Sequence, residues 1–391
     1  MTQAALSTTV VANPLAGRPD VWAPYTRQPL ELHRRLPGYA PTQLLSAPRL
    51  AGPLGVGQLL VKAETARFGL PSFKMLGASW AAYRAVVERL GQEPPAWSSV
   101  DELAQSLRPM RPLSLAAATD GNHGRAVARM ARLFGFDARI FVPEGTAAAR
   151  IDAIAGEGAS VDVVDGGYDE AVTRSAEEAG PRCLVISDTS WPGYELVPRW
   201  VIEGYSTIFW EIDDSLAATG RQAPDVVVVP IGVGALAAAT VNHWCRHGEG
   251  PAVVGVEPLD ANCVMASALA GYLTTVPGPH RSVMAGLNCG YPSPVAWPLV
   301  AAGVGTLVAI DDETARQAVR DLAAIGVQAG ETGAAALGGL IVLRSGTVLQ
   351  SGTGLQSEAA QVHGDATVLV VCTEGVTDPV EWRRSLGVEA L

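Results

Sequence analysis

The sequence predicts an α/β fold made of two doubly wound lobes, each a parallel sheet lying between helix layers (a three-layer α/β/α arrangement). Three observations predict it. Strand-like apolar runs alternate with helix-like runs through short linkers, and the alternation occurs twice. The chain has 391 residues, and single cores stop growing at roughly 250–300 residues, so two lobes are expected. Gly is abundant while aromatic residues make up only 6%, a balance that suits helices packed closely on a sheet better than a β-sandwich.

The elements follow in order. A proline turn at Pro71 leads into a helix over Met75–Leu90. Leu113–Thr119 is a short apolar strand, followed by a helix from about His123 to Phe134. Strand Ala138–Val142, helix Ala147–Glu157, strand Ser160–Val164, helix Tyr168–Ala179 and strand Cys183–Ser187 complete a first set. Tyr194–Trp210 reads as one helix, since Val197, Val201, Ile202 and Tyr205 share a face. A second set comprises strand Val226–Pro230, helix Ala235–His247, strands Ala252–Glu257 and Thr306–Ile310, helix Asp312–Ile325 and strand Val368–Cys372. Segment 272–305, rich in Pro and Gly, reads as loops over the site. The expected division is a large lobe of residues 1–83 and 195–391 and a small one of 84–194, with the active site between them. Ligands in such sheets bind beyond the carboxyl ends of the strands, so the residues that matter should follow strands directly.

Net charge is −11 and no Lys/Arg cluster offers a nucleic-acid surface. No basic segment followed by an apolar stretch opens the chain, so no signal peptide is expected. The longest apolar run, Val226–Val241, is broken by Pro230, Gly232 and Gly234 and falls short of the ~18–20 residues that a membrane span needs. The five cysteines, at 183, 245, 263, 289 and 372, show no metal-ligand spacing. A cytoplasmic protein without a metal is expected. Cys263 and Cys289 fall in segments that could face each other, but a reducing compartment favours free thiols.

Three segments carry chemistry. In Pro71-Ser72-Phe73-Lys74-Met75-Leu76, Lys74 opens a helix among apolar neighbours. Such surroundings depress a lysine pKa and suit it to forming a Schiff base, although most single lysines are solvated surface charges. In Thr119-Asp120-Gly121-Asn122-His123-Gly124, a strand ends in a glycine turn that opens a helix, whose first amides can receive an anion. The alternative for Asp120 is an ordinary turn or helix cap. In Pro230-Ile231-Gly232-Val233-Gly234-Ala235-Leu236, a buried strand enters two glycines and an Ala-rich helix, the form of a phosphate cradle. It is neither a Walker loop nor a full GxGxxG, because position 237 is Ala, and no acidic residue follows at the spacing of a Rossmann dehydrogenase.

Together these segments resemble the fold-type II pyridoxal-phosphate (PLP) enzymes, which include serine/threonine dehydratases, cysteine synthases and the tryptophan synthase β chain. Ser187-Asp188-Thr189-Ser190-Trp191-Pro192-Gly193-Tyr194, Met284-Ala285-Gly286-Leu287-Asn288-Cys289-Gly290, Glu331-Thr332-Gly333-Ala334 and Thr373-Glu374-Gly375, with the Asp120 turn, are similar to diaminopropionate ammonia-lyases. The likeness runs from Leu36-Pro37-Gly38-Tyr39 to Thr377-Asp378.

The resemblance implies that Lys74 carries PLP through a Schiff base, that Asn122 bonds the cofactor's 3′-oxygen, and that amides across Gly232, Val233, Gly234, Ala235 and Leu236 bind its phosphate. Cys372, or Thr373 in its stead, would stand against the ring nitrogen as a neutral partner. Asp120 and Asp188 would be the two carboxylates of this branch, and Ser72, Thr119, His123, Tyr168 and Thr189 would surround a small amino-acid substrate. Two carboxylates suit a substrate with a cationic β-ammonium, and one on each cofactor face would admit both enantiomers. Such a base works near pH 7 if burial raises its pKa to ~6–7. The implied reaction turns 2,3-diaminopropionate into pyruvate and two ammonia, in a homodimer.

One departure bears on substrate. The family's terminal motif carries Asp where this chain has Val376. A serine/threonine dehydratase-like or β-replacement enzyme is therefore the second reading, and an inert PLP-binding homologue the third. The intact Lys74, Asn122, Asp120 and Asp188 speak against the last.

Overall fold

A computed structural model describes residues 8–119, 121–245, 250–345 and 362–388. Among these, eleven strands follow one another along the chain: β1 (Thr8–Ala12), β2 (Leu44–Ser46), β3 (Gln58–Ala63), β4 (Ser114–Ala118), β5 (Asp137–Pro143), β6 (Ser160–Val164), β7 (Cys183–Val185), β8 (Val226–Pro230), β9 (Ala252–Pro258), β10 (Thr306–Ile310) and β11 (Thr367–Cys372). They form a seven-stranded sheet ordered β1-β10-β9-β8-β11-β3-β2 and a four-stranded sheet ordered β6-β5-β4-β7.

The smaller sheet is parallel throughout. In the larger one the five central strands are parallel, and β1 and β2 are added antiparallel at the two edges. The sequence reading omitted β1, β2 and β3. The two edge strands are short, and β2 has only three residues, too few to display a period.

Parallel strands covered on both faces read as unbroken apolar runs. β8 (Val-Val-Val-Val-Pro) is buried at every position, as are the last five residues of β11. Val228, Val254, Val256, Val308, Val368 and Val370 form the centre of the larger core, with Ala334, Ala335, Ala336, Leu337 and Leu340 packed among them. Those last five belong to helix Glu331–Arg344, which is buried on nearly all sides. With no polar face it shows no amphipathic period, which is why the sequence yields a motif there but no helix.

The chain divides into one compact unit of residues 1–24, 42–65 and 211–391 and a second of residues 25–41 and 66–210. The second unit is larger than the expected 84–194 and takes in Lys74. Helix Lys74–Leu90 packs on helices Leu196–Gly204 and Asn122–Phe134, so the contacts that hold Lys74 belong with the four-stranded sheet. The expected single helix over 194–210 is two, Leu196–Gly204 and Ser206–Ala218. The break falls at Tyr205, just after Gly204, where an added Cβ would lie 2.5 Å from the Leu76 carbonyl oxygen. Segment 272–305 is mostly irregular but ends in helix Trp297–Gly303. Helix Ala235–Trp244 ends before the expected His247, which lies outside the described residues.

Candidate active site

The residues named by the sequence fall into two groups, one in each unit. In the unit with the four-stranded sheet, Lys74 is the first residue of helix Lys74–Leu90. Its Nζ lies 2.6 Å from Asp188 Oδ2. The immediate partner of the amine is thus a carboxylate, not only the apolar neighbours visible in sequence.

The first turn of that helix is held by its surroundings. The Lys74 amide donates to Ser72 Oγ at 3.4 Å, and the buried His33 bridges Thr207 Oγ1 (2.8 Å) and the Leu76 carbonyl (3.0 Å) through its two ring nitrogens. Phe73 packs on Tyr205 with ring centroids 4.6 Å apart. Gly77 permits the close crossing, since a Cβ there would stand 2.5 Å from Tyr205 Cε1 and 2.7 Å from Val201 Cγ1.

Asp188 follows β7 and is only 5% exposed. Its turn is fixed by Tyr194, whose hydroxyl donates to the Val185 carbonyl (2.6 Å) and accepts from the Ser187 amide (3.1 Å). The Tyr194 ring is stacked on Trp191 at 4.1 Å. Tyr168 donates from its hydroxyl to Asp188 Oδ1 at 3.0 Å, and His123 Nδ1 lies 4.0 Å from Oδ2. Burial alone would raise the Asp188 pKa. The Lys74 ammonium, the His123 ring and the hydrogen bonds from Lys74 and Tyr168 outweigh it and hold the carboxyl well below the usual carboxylate range. The direction is opposite to the upward shift that the sequence argument required of a base, because that argument counted burial without the neighbouring cation.

Lys74, Asp188, Tyr168 and His123 are therefore brought together. The Thr119 side chain turns back to its own loop, where Oγ1 accepts from the Gly121 amide at 2.8 Å. Asn122 opens helix Asn122–Phe134, and Thr189 is buried with its amide donating to Ser187 Oγ at 3.2 Å. Asp120 lies outside the described residues.

In the unit with the seven-stranded sheet, β8 runs through Ile231-Gly232-Val233-Gly234 into helix Ala235–Trp244. Gly234 has φ +98°, and no side chain caps the helix, whose first-turn amides, as in any helix, have no intrahelical partners. A Cβ on Gly232 would stand 3.2 Å from both Cys289 Sγ and the Gly286 carbonyl oxygen. The Gly286 amide donates to Thr332 Oγ1 at 3.1 Å, and Thr373 Oγ1 donates to the Thr332 carbonyl at 3.5 Å. One network of short contacts thus joins the glycine turn, segment 284–290, the start of helix Glu331–Arg344 and the end of β11.

Cys372 ends β11, and burial pushes its thiol pKa up to about 12, so it is neutral. All five cysteines, Cys263 and Cys289 among them, are free thiols. Sequence reasoning assigned no role to Thr332, Tyr194 or Tyr205. Thr332 and Tyr194 stand inside quoted motifs, which was the available signal, whereas the Gly77–Tyr205 crossing left no mark in the sequence.

These residues fit a phosphorylated pyridine aldehyde. A narrow glycine turn on an uncapped helix N-terminus suits the phosphate, a primary amine beside a carboxylate suits the aldehyde, and a neutral buried thiol at a strand end suits an unprotonated ring nitrogen. Fold and residues define a PLP-dependent enzyme of the α/β class, and the sequence pattern of the family described as "Pyridoxal-phosphate dependent enzyme" matches residues 35–374.

The diaminopropionate ammonia-lyase of Salmonella typhimurium is 32% identical over 367 residues, covering 90% of this chain and 89% of that protein. The Escherichia coli K12 enzyme is 33% identical over 362 residues with the same coverage. The crystal structure of the E. coli enzyme in complex with D-serine superposes with a TM-score of 0.86 and 30% identity, covering 97% of this chain and 96% of that one. The chain belongs to the diaminopropionate ammonia-lyase family. Among the described residues no helix is long and apolar enough to cross a membrane, and no group of three or more His, Cys, Asp or Glu is placed to hold a metal.

Proposed function

We propose that this chain eliminates ammonia from 2,3-diaminopropionate, giving pyruvate and a second ammonia. The single observation that carries the reading is the buried Asp188 carboxylate at 2.6 Å from the Lys74 amine. A carboxylate in that place neutralises a cationic β-ammonium, which a hydroxyl-lined dehydratase pocket does not do.

In this reading Lys74 Nζ is the amine that would hold the cofactor at its aldehyde, within reach of the substrate's α-amine. PLP, when bound, supplies the conjugated ring that accepts the electron pair released at Cα. Amides of Gly232 to Leu236 would hold its phosphate and Asn122 its 3′-oxygen, while Cys372, with Thr373 beside it, would leave the ring nitrogen neutral. With Nζ so engaged, the lysine would offer fewer donors and hold Asp188 less tightly. The carboxylate is then free to take the Cα proton from one face, and Asp120 is assigned the other. Tyr168 orients Asp188 through Oδ1, His123 stands behind the same carboxylate, and Ser72, Thr119 and Thr189 line the substrate. The family likeness supports a homodimer in the cytoplasm.

The test has two parts. Borohydride reduction of the holoenzyme followed by peptide mapping should place the pyridoxyl group on Lys74; a tag elsewhere, or none, removes the reading. Pyruvate release should be rapid from the diamine and slow from serine and O-acetylserine. Asp188→Asn and Asp120→Asn should each lose mainly one enantiomer of diaminopropionate, and equal small losses on both would refute the two-base assignment.

A further inference from the structure

Asp188 is engaged on two sides. Oδ1 accepts from Tyr168, while Oδ2 faces Lys74 Nζ at 2.6 Å and His123 Nδ1 at 4.0 Å. On the far side of the His123 ring, Nε2 lies 2.7 Å from the Ile186 carbonyl oxygen. A carbonyl only accepts, so Nε2 keeps its proton in either charge state, and the position that gains or loses one is Nδ1, on the Asp188 side. The ring is 1% exposed and belongs to the second residue of helix Asn122–Phe134, in its first turn. Ile186 and Asp188 are two residues apart, so the same short segment after β7 both orients the ring and presents the carboxylate to it.

We propose that His123 is a positioning residue that completes Asp188 as a base, its Nδ1 taking over the proton that Asp188 accepts from the substrate Cα. The proposal rests on the role given to Asp188 above. The Cα–H bond breaks with its electron pair left on carbon, and the proton passes to Oδ2 and on to Nδ1. The imidazolium so formed keeps Nε2–H on Ile186, and its charge is balanced by the restored Asp188 carboxylate. The Cβ–N bond then breaks with its pair on nitrogen, the β-ammonium departs as NH3, and the stored proton returns through Oδ2 to make ammonium. No oxidant or reductant is needed.

Lys74 is the competitor for Oδ2. At 4.0 Å, Nδ1 is about one ångström beyond hydrogen-bond reach, and catalytic contacts of this kind commonly tighten only in the substrate complex. Among the described residues, the other titratable groups that interact with Asp188 or Lys74 include Tyr168 from helix Tyr168–Ala176, Tyr194 from the turn after Asp188, and Tyr205 beyond helix Leu196–Gly204. Burial raises Tyr194 and Tyr205 well above the usual tyrosine range, so neither competes for the proton near neutrality.

The experiment uses His123→Gln, Asp188→Asn and the double variant as holoenzymes. Glutamine carries an amide nitrogen near the place of Nε2 and can still donate to Ile186, but it has no base at the Nδ1 position. A merely structural role is therefore preserved by Gln, and thermal unfolding of each variant checks folding. The expected result for His123→Gln is a loss of about 10- to 100-fold in kcat for the diamine, with KM and cofactor absorbance unchanged. The acid limb of its pH profile should also move, and the loss should not add to that of Asp188→Asn in the double variant. Independently of turnover, histidine NMR on the protein, which has six histidines, should show the His123 titration falling by at least about one pH unit in Asp188→Asn. Losses that multiply, or a His123 titration indifferent to Asp188, would overturn the proton hand-off while leaving Asp188 as the base. Full activity of Asp188→Asn on both enantiomers would overturn the parent reading and the hand-off together.

Discussion

Replacing Gly77 with Ala tests how Lys74 is held in place. The new Cβ would lie 2.5 Å from Tyr205 Cε1 and 2.7 Å from Val201 Cγ1. Carbon atoms rest at about 3.5–4.0 Å, so helix Lys74–Leu90 must draw back from helix Leu196–Gly204 by about 1 Å. Neither neighbour can swing aside, because Tyr205 and Val201 are both fully buried. Overpacking of this kind costs about 1–3 kcal/mol, against the gain of about 1 kcal/mol that Ala brings over Gly in a helix. With an aromatic ring and a β-branched side chain as the obstacles, the net loss should be about 1–2 kcal/mol.

Gly52 supplies the control. It lies in helix Pro48–Leu54 with no other element within 4 Å of an added Cβ, although Pro53 follows it directly, so the helix gain from Ala is offset by crowding before the proline and Gly52→Ala should change stability by less than about 0.5 kcal/mol. The two substitutions are chemically identical, and only the one at Gly77 meets a neighbouring helix.

The same displacement reaches the chemistry. Lys74 is one helical turn before Gly77, and its Nζ stands 2.6 Å from Asp188. A shift of about 1 Å at a reacting group can cost about 100-fold. The assay pairs denaturant unfolding with pyruvate release for both variants, and the expected result is a less stable Gly77→Ala with kcat reduced at least tenfold. If Gly77→Ala unfolds no earlier than Gly52→Ala and turns over at the wild-type rate, the helix crossing does not position the lysine.

Gly232→Ala, with its Cβ 3.2 Å from Cys289 Sγ and from the Gly286 carbonyl, should lower PLP affinity by about tenfold in an absorbance titration; unchanged affinity would place the phosphate elsewhere. Tyr194→Phe strands the Val185 carbonyl and the Ser187 amide, so it should cost about 1–3 kcal/mol and slow turnover through Asp188; wild-type stability would show that the hydroxyl does not hold the turn. Glu257, fully buried, is pushed up to about 8 by burial, while the amides of Val264 and Met265 pull the other way. A folded pKa above the unfolded ~4.3 means stability that is full below about pH 4 and lost as pH rises through about 8, so the unfolding midpoint should fall over that window more steeply in wild type than in Glu257→Gln; parallel curves would refute the shift.

The pattern of what the sequence shows and hides follows from where the physics acts. A strand that ends in a glycine turn before a helix is local: its apolar run, its glycines and its polar tip are consecutive, and β4 into Asn122 and β8 into Gly234 are legible for that reason. Lys74 is legible through its neighbours, yet the helix that carries it packs with the four-stranded sheet because of Gly77, Gly204 and Tyr205, residues from distant stretches that meet only after folding. Helix Glu331–Arg344 was hidden by its burial, since an all-apolar helix carries no period to detect. The charge state of Asp188 was misjudged for a related reason: burial can be inferred from sequence, whereas a cation at 2.6 Å from 114 residues away cannot. Here the cation decides the sign. It follows that a sequence can nominate a base but cannot say whether the carboxyl rests ionised or protonated. In this chain that depends on the contact between Lys74 Nζ and Asp188 Oδ2, so the state of Asp188 is tied to the state of Lys74.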